Sequence, residues 1–296
     1  MNDLLTALPF PSADWMSSMD GSRKLHTFSL PGSHDTCAYT VNDSLARTQD
    51  ATLEAQLQAG VRVIDIRCRH ENDTFAIYHA GISLDMTFDH VIDICGRFLA
   101  GHPRECIVMS IKEEWAAKAC SRSFVQTFDG YVSENVGVRW HLSPIAPTLE
   151  AARGSIVLLR RFASERPLGI DLTAWPDNST FVIDDAPTRF AIQDEFRVPI
   201  RASIEYKWRA VETMLDTAPD AMPTRWAINF CSGTGMSAPP HWVAFGDDEV
   251  AGIHTRLDRR LAARNQACGT VMLDFCDWAD WALVRRLIAC NVERAA

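Results

Sequence analysis

The sequence predicts an α/β protein built as a single distorted (β/α)8 TIM-like barrel with parallel inner strands, spanning residues 1–296 as one domain. Short apolar segments alternate with amphipathic ones along the whole chain, which is the order of a parallel sheet wrapped by helices. The apolar segments, such as IVLL and VRVIDI, are hydrophobic on both faces, as in strands covered from both sides. No G-x-G-x-x-G follows the first of them, so a barrel is favoured over a dinucleotide-binding sheet.

The strands and helices follow from composition and periodicity. The predicted strands are residues 25–30, 61–67, 75–79, 106–112, 155–161, 189–194, 226–231 and 270–275. The predicted helices are residues 51–59, 88–99, 121–132, 200–216, 248–264 and 278–290. Phe88, Val91, Ile92, Cys95 and Leu99, for example, follow the spacing of one buried helix face. Residues 171–185 are rich in Pro, Asp and Asn, so we expect the barrel to be irregular there.

Charge and cysteine usage exclude several classes of protein. A formal charge of -9 argues against a nucleic-acid partner and against broad attraction to anionic membranes. No apolar run reaches the ~20 residues of a transmembrane segment. Asp3 stands where a signal peptide would be basic, so we expect no signal peptide, and a cytoplasmic protein if the sequence is full length. The nine cysteines form no C-x-x-C pair and predict buried free thiols in a reducing compartment rather than a zinc ribbon.

Polar residues collect where the predicted strands end. These residues are His34, Asp35, Asp65, Arg67, His79, Lys112, Arg161, Asp194 and Asp274. In a parallel barrel all strand carboxyl ends open onto one face, which carries the active site. The sequence therefore predicts that these side chains share one rim.

The residue types at this rim predict phosphoryl transfer. Two histidines can serve as base and acid near neutral pH, and each can be oriented by a carboxylate, for which Asp35 and Asp274 are available. An anion site is predicted from three cations, Arg67, Lys112 and Arg161. An arginine fork suits a phosphate, so the set predicts in-line displacement at phosphorus with one proton removed and one supplied.

Each residue also has a structural alternative when it is taken alone. His34 could cap the turn after Pro31-Gly32, and His79 could be a satisfied core histidine. Arg67 could pair with Asp65, and Lys112 could balance the two glutamates that follow it. Arg161 could belong to a surface pair, and Asp194 could cap a helix. The functional interpretation rests on all members lying on one predicted face.

A series of motifs resembles a known family. SLPGSHDT, GVRVIDIRCR, YHAG, IVMSIKEE, IVLLRRF, WPDNSTF, AIQDEF and VMLDF occur in this order over residues 10–290. Together they resemble the bacterial phosphatidylinositol-specific phospholipase C family, with its X-domain-like barrel. The resemblance implies cleavage of phosphatidylinositol into diacylglycerol and inositol 1,2-cyclic phosphate. Members of this family are often secreted, so the resemblance implies secretion, whereas the amino-terminal sequence predicts a cytoplasmic protein.

The resemblance also implies a role for each residue. His34 resembles the base that takes the proton of the inositol 2-hydroxyl, held by Asp274, and His79 resembles the acid, supported by Asp35. Arg67 resembles the phosphate-binding arginine, with Asp65 beside it. Residues at positions that bind the inositol hydroxyls are Lys112, Glu114, Arg161 and Asp194, and Phe196 matches an aromatic residue against the ring. Arg67 stands where calcium-dependent relatives carry an acidic ligand, so we expect no metal and no other cofactor.

The expected partner is phosphatidylinositol at a membrane surface, contacted peripherally and transiently by a monomer. Met236 and Trp242 are the expected membrane contacts, although Trp242 could instead be packed core. The alternatives are a metal-dependent glycerophosphodiester phosphodiesterase, which expects an acidic metal cluster, and a non-catalytic inositol-lipid binder. Two departures from the family are Ala80 after His79, where glycine is frequent, and Phe196, where tyrosine is common.

Overall fold

The structure, a computed structural model, describes residues 8–79, 81–264 and 266–292. Its centre is a curled 12-stranded sheet. The strands are β1 Leu30–Ser33, β2 Val63–Glu71, β3 Thr74–His79, β4 Ile82–Thr87, β5 Ile107–Glu113, β6 Arg139–His141, β7 Ser155–Arg161, β8 Ile170–Asp171, β9 Ser179–Ile183, β10 Phe190–Asp194, β11 Trp226–Phe230 and β12 Thr270–Leu273.

Helices cover this sheet, and several begin at residues that cap them. The helices are α1 Leu53–Ala59, α2 Phe88–Gly101, α3 Phe124–Glu134, α4 Leu149–Ala152, α5 Ile204–Ala221, α6 Pro240–Phe245, α7 Ile253–Ala263 and α8 Trp278–Ala289. Ser123 and Gln126 form a capping box at the start of α3. Gly60, with φ of 110°, ends α1 in the left-handed conformation that glycine adopts without strain.

The strand order confirms the predicted α/β barrel class. The strands β6-β7-β5-β2-β1-β12-β11-β10 are each parallel to their neighbours in this order. β9 pairs antiparallel with β10. Among the described residues no ladder joins β6 or β8 to β9 or β10, so the curl stays open on that side. This irregular side contains residues 171–185, where the composition predicts it.

The first predicted strand, residues 25–30, is wrong in its bounds. Residues 25–27 form a 3-10 turn instead, because the amide and the hydroxyl of Thr27 both donate to the carbonyl of Lys24. The strand proper is Leu30–Ser33, which lies between β12 and β2. His34 is therefore the first residue beyond the carboxyl end of β1.

The third predicted strand, residues 75–79, does not join the parallel set. It pairs antiparallel with β2 and with β4. The cause is the two-residue turn at Asn72 and Asp73, whose φ angles of 51° and 57° are those of a tight hairpin turn. His79 thus reaches the site from a hairpin that extends β2, and not from a barrel strand.

The opposite end of the sheet is closed by a buried ion pair. Arg62 precedes β2, and its Nε donates to Oε2 of Glu105 at 2.9 Å, with both side chains fully buried. Further guanidinium N–H groups of Arg62 donate to the carbonyls of Leu57 and Ala13. This end is packed and satisfied, whereas the carboxyl ends of the strands surround a cavity.

Candidate active site

A cavity of about 310 Å³ opens at the carboxyl ends of the parallel strands. The predicted residues that line it are His34, Arg67, His79, Lys112, Glu114, Arg161, Asp194, Phe196 and Asp274. Asp35 and Asp65 are buried directly against this lining, in contact with Arg67. The structure therefore brings together eleven predicted residues, nine in the lining and two beneath it.

The turn after β1 fixes the position of His34. Its amide donates to the carbonyl of Leu273 on β12 at 2.9 Å, and its own carbonyl accepts from Nε2 of Gln49 at 2.8 Å. Asp35, the next residue, has φ of 41°, a left-handed conformation that aspartate tolerates better than most residues. Gln49 is a positioning residue that sequence reasoning missed, because its role depends on a loop folding back over β1.

The imidazole of His34 is held between two carboxylates. Nδ1 lies 2.8 Å from Oδ1 of Asp274, and Nε2 lies 3.0 Å from Oδ2 of Asp35. Burial would lower the pKa of His34, but the charges of Asp35 and Asp274 raise it to about 10. The two carboxylates thus raise the proton affinity of His34, and Asp274 fixes the orientation of its ring through Nδ1.

His79 is held in place through both of its ring nitrogens. Its Nδ1 lies 2.7 Å from the carbonyl oxygen of Ala46, and its Nε2 lies 3.0 Å from Oδ2 of Asp35. The carbonyl oxygen accepts a hydrogen bond from Nδ1, whereas the contact of Nε2 with Asp35 is an ion-pair contact and not a hydrogen bond. The rings of His34 and His79 are 6.0 Å apart between centroids and nearly perpendicular.

Arg67 is fixed by the same carboxylates. Its Nε lies 2.8 Å from Oδ1 of Asp35, Nη2 lies 3.2 Å from Oδ2 of Asp65, and Nη2 also lies 2.9 Å from Nε2 of His34. Burial would raise the pKa of Asp35, but Arg67 and the two histidines hold it well below its usual range. The pKa of Arg67 is raised in turn, because Asp35 and Asp65 outweigh its burial. The result is a permanent guanidinium at the floor of the cavity.

The same carboxylates have the spacing of a metal cluster. One ligand atom each from His34, Asp35 and Asp65 lies within 4.8 Å of the others. The guanidinium of Arg67 already bonds to both carboxylates and would repel a cation placed among them. The donor set therefore fits an anion better than a resident metal.

One wall of the cavity is polar and the other is aromatic. Nζ of Lys112 lies 2.7 Å from Oε2 of Glu114. The guanidinium of Arg161 lies 3.8 Å from the ring centroid of Trp175, whose Nε1 donates to Oδ2 of Asp194 at 2.9 Å. Trp175 is a cavity residue that sequence reasoning missed, although it lies in the quoted WPDNSTF motif.

A buried lysine supports this wall from behind. Lys207 on α5 is 2% exposed, and its Nζ donates to Oε1 of Gln193 at 3.1 Å and to the carbonyl of Phe230 at 2.5 Å. Burial lowers the pKa of Lys207 to about 8, against the attraction of carboxylates that include Asp194 and Asp274. Sequence reasoning missed this residue, because a lysine on a helix is ordinarily expected to be exposed.

The two expected membrane contacts differ in exposure. The side chain of Met236 is 95% exposed. Trp242 is 5% exposed, with Nε1 donating to Oδ2 of Asp247 at 3.0 Å, so the expectation that it contacts the membrane is wrong. Helix α6 turns its indole into the core, the alternative noted above. None of the helices in the described part of the chain has the length and apolar character needed to span a bilayer.

Several known proteins resemble this chain in sequence. The family model described as phosphatidylinositol-specific phospholipase C, X domain, matches residues 23–162. The 1-phosphatidylinositol phosphodiesterase of Staphylococcus aureus is 28% identical over 259 residues, covering 80% of this chain and 82% of that protein. The protein of the same name from Listeria monocytogenes is 29% identical over 245 residues, covering 78% of this chain and 71% of that protein.

The fold agrees as well. A solved phosphatidylinositol-specific phospholipase C from Staphylococcus aureus has a TM-score of 0.84 and 25% identity, covering 96% of this chain and 98% of that one. The family-model match contains β1 to β7, and the similarity to the solved structure covers 96% of this chain. The resemblance that the motifs indicate is thereby confirmed: this chain is similar to the bacterial phosphatidylinositol-specific phospholipases C, and residues 23–162 match the family model of the X domain.

Proposed function

We propose that the chain is a phosphatidylinositol-specific phospholipase C that cleaves its substrate by metal-independent acid–base catalysis. One observation carries the proposal: Oδ2 of Asp35 lies 3.0 Å from Nε2 of His34 and 3.0 Å from Nε2 of His79. The other oxygen of the same carboxylate lies 2.8 Å from Nε of Arg67. A single side chain thus joins a base, an acid and a guanidinium beside one cavity.

The reaction is an internal displacement at phosphorus. Nε2 of His34 takes the proton of the inositol 2-hydroxyl, while Asp274 holds the ring through Nδ1. The hydroxyl oxygen bonds to phosphorus, and the bond from phosphorus to the diacylglycerol oxygen breaks. His79 gives its Nε2 proton to that oxygen, so diacylglycerol leaves and inositol 1,2-cyclic phosphate remains. Arg67 stabilises the charge that develops on the phosphoryl oxygens, and Asp65 helps to hold its guanidinium in place.

The polar wall of the cavity supports recognition of the inositol ring. The hydroxyls of the inositol ring can accept hydrogen bonds from Lys112 and Arg161 and can donate hydrogen bonds to the carboxylates of Glu114 and Asp194. Phe196 supplies an apolar ring face in the same cavity. The substrate phosphate and hydroxyls therefore meet charge and hydrogen-bonding groups of matching type.

Exposed apolar side chains near the cavity support transient membrane contact by a monomer. Met236 lies two residues beyond Thr234, which lines the cavity. Leu45 is 50% exposed and precedes Ala46, the residue that holds His79. Exposed apolar side chains of this kind can insert into the membrane interface, and this does not require attraction between anionic lipids and a chain of charge -9. Met236→Ser should weaken turnover on vesicles but not on a soluble short-chain substrate; equal loss on both would contradict this contact.

Phosphorus NMR on phosphatidylinositol vesicles with excess chelator tests the reaction itself. We expect the phosphodiester signal to be replaced by that of inositol 1,2-cyclic phosphate at the same rate with and without chelator. His34→Ala should slow this conversion by ~10²-fold or more, the usual scale for a positioned base. Dependence on added calcium, or release of an acyclic phosphomonoester as the first product, would overturn the proposal.

A further inference from the structure

Three potential metal ligands converge outside the cavity, at the far end of β2. They are His70 on β2, Asp73 in the turn between β2 and β3, and Cys120 in the loop before α3. One ligand atom from each lies within 4.8 Å of the other two. The backbone joins these segments as well, because Lys118 donates its amide to the carbonyl of His70 at 2.9 Å.

His70 is prepared to act as a ligand. It is 1% exposed, and its ring packs edge-on against Phe75 and Phe124. Nε2 lies 2.9 Å from Oγ1 of Thr127, while Nδ1 has no hydrogen-bond partner within the described ranges. If Nε2 donates to Thr127, the lone pair of Nδ1 is free, as in histidines that bind metals through one nitrogen and are oriented through the other.

The other two side chains are fixed and accessible. The carboxylate of Asp73 is held in place through Oδ1, which accepts hydrogen bonds from the amides of Ser121 and Arg122 at 2.8 and 2.9 Å. The Oδ2 atom accepts from the Ser121 hydroxyl at 2.5 Å. Cys120 is partly exposed, whereas most of the nine cysteines are buried, and its Sγ lies 3.4 Å from the carbonyl oxygen of His70.

We propose that His70, Asp73 and Cys120 form a zinc site, in which water supplies the fourth ligand. Sulfur, imidazole nitrogen and carboxylate oxygen together are a donor set typical of Zn²⁺, whereas Mg²⁺ and Ca²⁺ require oxygens. With bonds of about 2.0–2.3 Å, tetrahedral ligand atoms stand about 3.3–3.8 Å apart, a separation compatible with the observed cluster. The Cys120 thiol loses its proton to solvent as the sulfur–zinc bond forms.

This zinc would brace the hairpin that delivers His79. It would tie the β2–β3 turn to the loop of residues 118–122, and β3 ends at His79. None of its three ligands, His70, Asp73 and Cys120, lines the cavity. The proposal therefore goes beyond the catalytic function and predicts a structural metal in an enzyme whose chemistry needs none. Removing zinc should lower the melting temperature while turnover at 25 °C is retained.

The test measures zinc binding by the intact, chelator-stripped protein. We expect one zinc per chain, measured by competition with a chromophoric indicator, and a sulfur-to-metal charge-transfer band with cobalt(II). Cys120→Ser should abolish the band and weaken zinc binding at least ~10-fold, and Thr127→Val should weaken it ~10–100-fold while the fold is retained. Cys290→Ser, which changes another partly exposed cysteine, is the matched control and should bind as the wild type does.

Two further variants keep the result decisive. His34→Ala should bind zinc normally, which separates this site from the cluster in the cavity. Asp73→Asn preserves the acceptor for the Ser121 and Arg122 amides but removes the charge, and it should also weaken binding. Failure of the wild type to bind zinc, or equal binding by wild type, Cys120→Ser and Thr127→Val, would overturn the proposal. Loss of binding in His34→Ala alone would place the metal in the cavity and would overturn it too.

Discussion

At the scale of single residues, the site is organised around the carboxylate of Asp35. It contacts both imidazoles and the guanidinium of Arg67, and it is itself buried. Three cationic or protonatable partners compensate for the cost of burying one charge. The proton affinity of His34 is thereby coupled to the position of Arg67, and substitutions at these residues are expected to be non-additive.

Asp274→Asn should change both the rate and its pH dependence. Asp274 raises the pKa of His34, so removal of its charge lowers that pKa, and the unprotonated base appears at lower pH. We expect the acidic limb of kcat/KM to move to lower pH and the plateau to fall by ~10²-fold, because a neutral amide stabilises the imidazolium formed on proton transfer less than the carboxylate does. The pH profile of kcat/KM measures both effects. Asp280→Asn, at an exposed carboxylate, is the control; an unmoved limb in Asp274→Asn would contradict the account.

Arg67→Lys should also be severe although the charge is kept. The lysine ammonium cannot contact Asp35, Asp65 and a phosphate in the fixed geometry of the guanidinium fork. We expect kcat to fall by ~10²-fold or more, on the scale of losing a positioned transition-state donor. Steady-state kinetics against Arg97→Lys, at an exposed arginine on α2, provide the comparison. Near wild-type kcat would refute the role of Arg67.

At the scale of elements, the site combines parallel strands with two less regular segments. β1, β5, β7, β10 and β12 end next to functional residues, as strand carboxyl ends do in barrels. Asp65 and Arg67 instead lie within β2, which continues to Glu71 in the hairpin. The β2–β3 hairpin supplies His79, and the loop between β8 and β9 supplies Trp175. The irregular segments thus complete a cavity that the parallel strands only partly surround.

The limits of sequence prediction lie in these same segments. Strands such as β5 and β7 are predicted from sequence because they are apolar on both faces. The pattern of residues 75–79 predicts a strand but does not show whether it runs parallel or antiparallel to β2. That direction depends on the turn before it, where Asn72 and Asp73 have positive φ angles. Trp175 and Lys207 were missed because their roles arise from contacts between distant segments. Composition alone could not decide whether the indole of Trp242 faces the core or the solvent.

Trp175→Phe tests the aromatic wall. The phenyl ring retains a face for Arg161, but the hydrogen bond from Nε1 to Asp194 is lost. A neutral donor to a carboxylate contributes about 1–2 kcal/mol, so we expect KM to rise ~5–30-fold with kcat little changed. Trp208→Phe, on α5 and outside the cavity lining, is the control. A fall in kcat with KM unchanged would show that Trp175 acts on the chemical step instead.

At the scale of the whole molecule, the two ends of the sheet have different properties. One end is sealed by Arg62 and Glu105, and the other concentrates buried charge around a cavity. Stability and chemistry are thus assigned to opposite ends of the strands, as in barrel enzymes generally. That all 296 residues form one domain stays a prediction, which a single cooperative unfolding transition would support.

A buried neutral histidine should make the whole fold sensitive to acid. His254 on α7 packs against Phe245 and Trp278, and burial lowers its pKa to about 3. The unfolded chain, with an ordinary histidine pKa near 6.5, binds this proton first, so stability falls as pH drops from 6.5 towards 3. One such group contributes a slope of about 1.4 kcal/mol per pH unit.

His254→Leu should therefore reduce the pH dependence of stability. Denaturant unfolding between pH 6.5 and pH 4 should give a shallower loss of unfolding free energy than in the wild type. His90→Leu, at an exposed histidine on α2, should leave the slope unchanged. Parallel curves for wild type and His254→Leu would show that His254 is not the acid-sensitive group.

The division of labour between the two histidines is tested most directly with two substrates that differ in leaving group. On phosphatidylinositol, His34→Ala and His79→Ala should both lose ~10²-fold or more in kcat. On an inositol phosphodiester with a p-nitrophenolate leaving group, which departs without a proton, His79→Ala should recover most of its rate and His34→Ala should not. Equal losses of the two variants on both substrates, or recovery by His34→Ala alone, would contradict the assignment of base and acid.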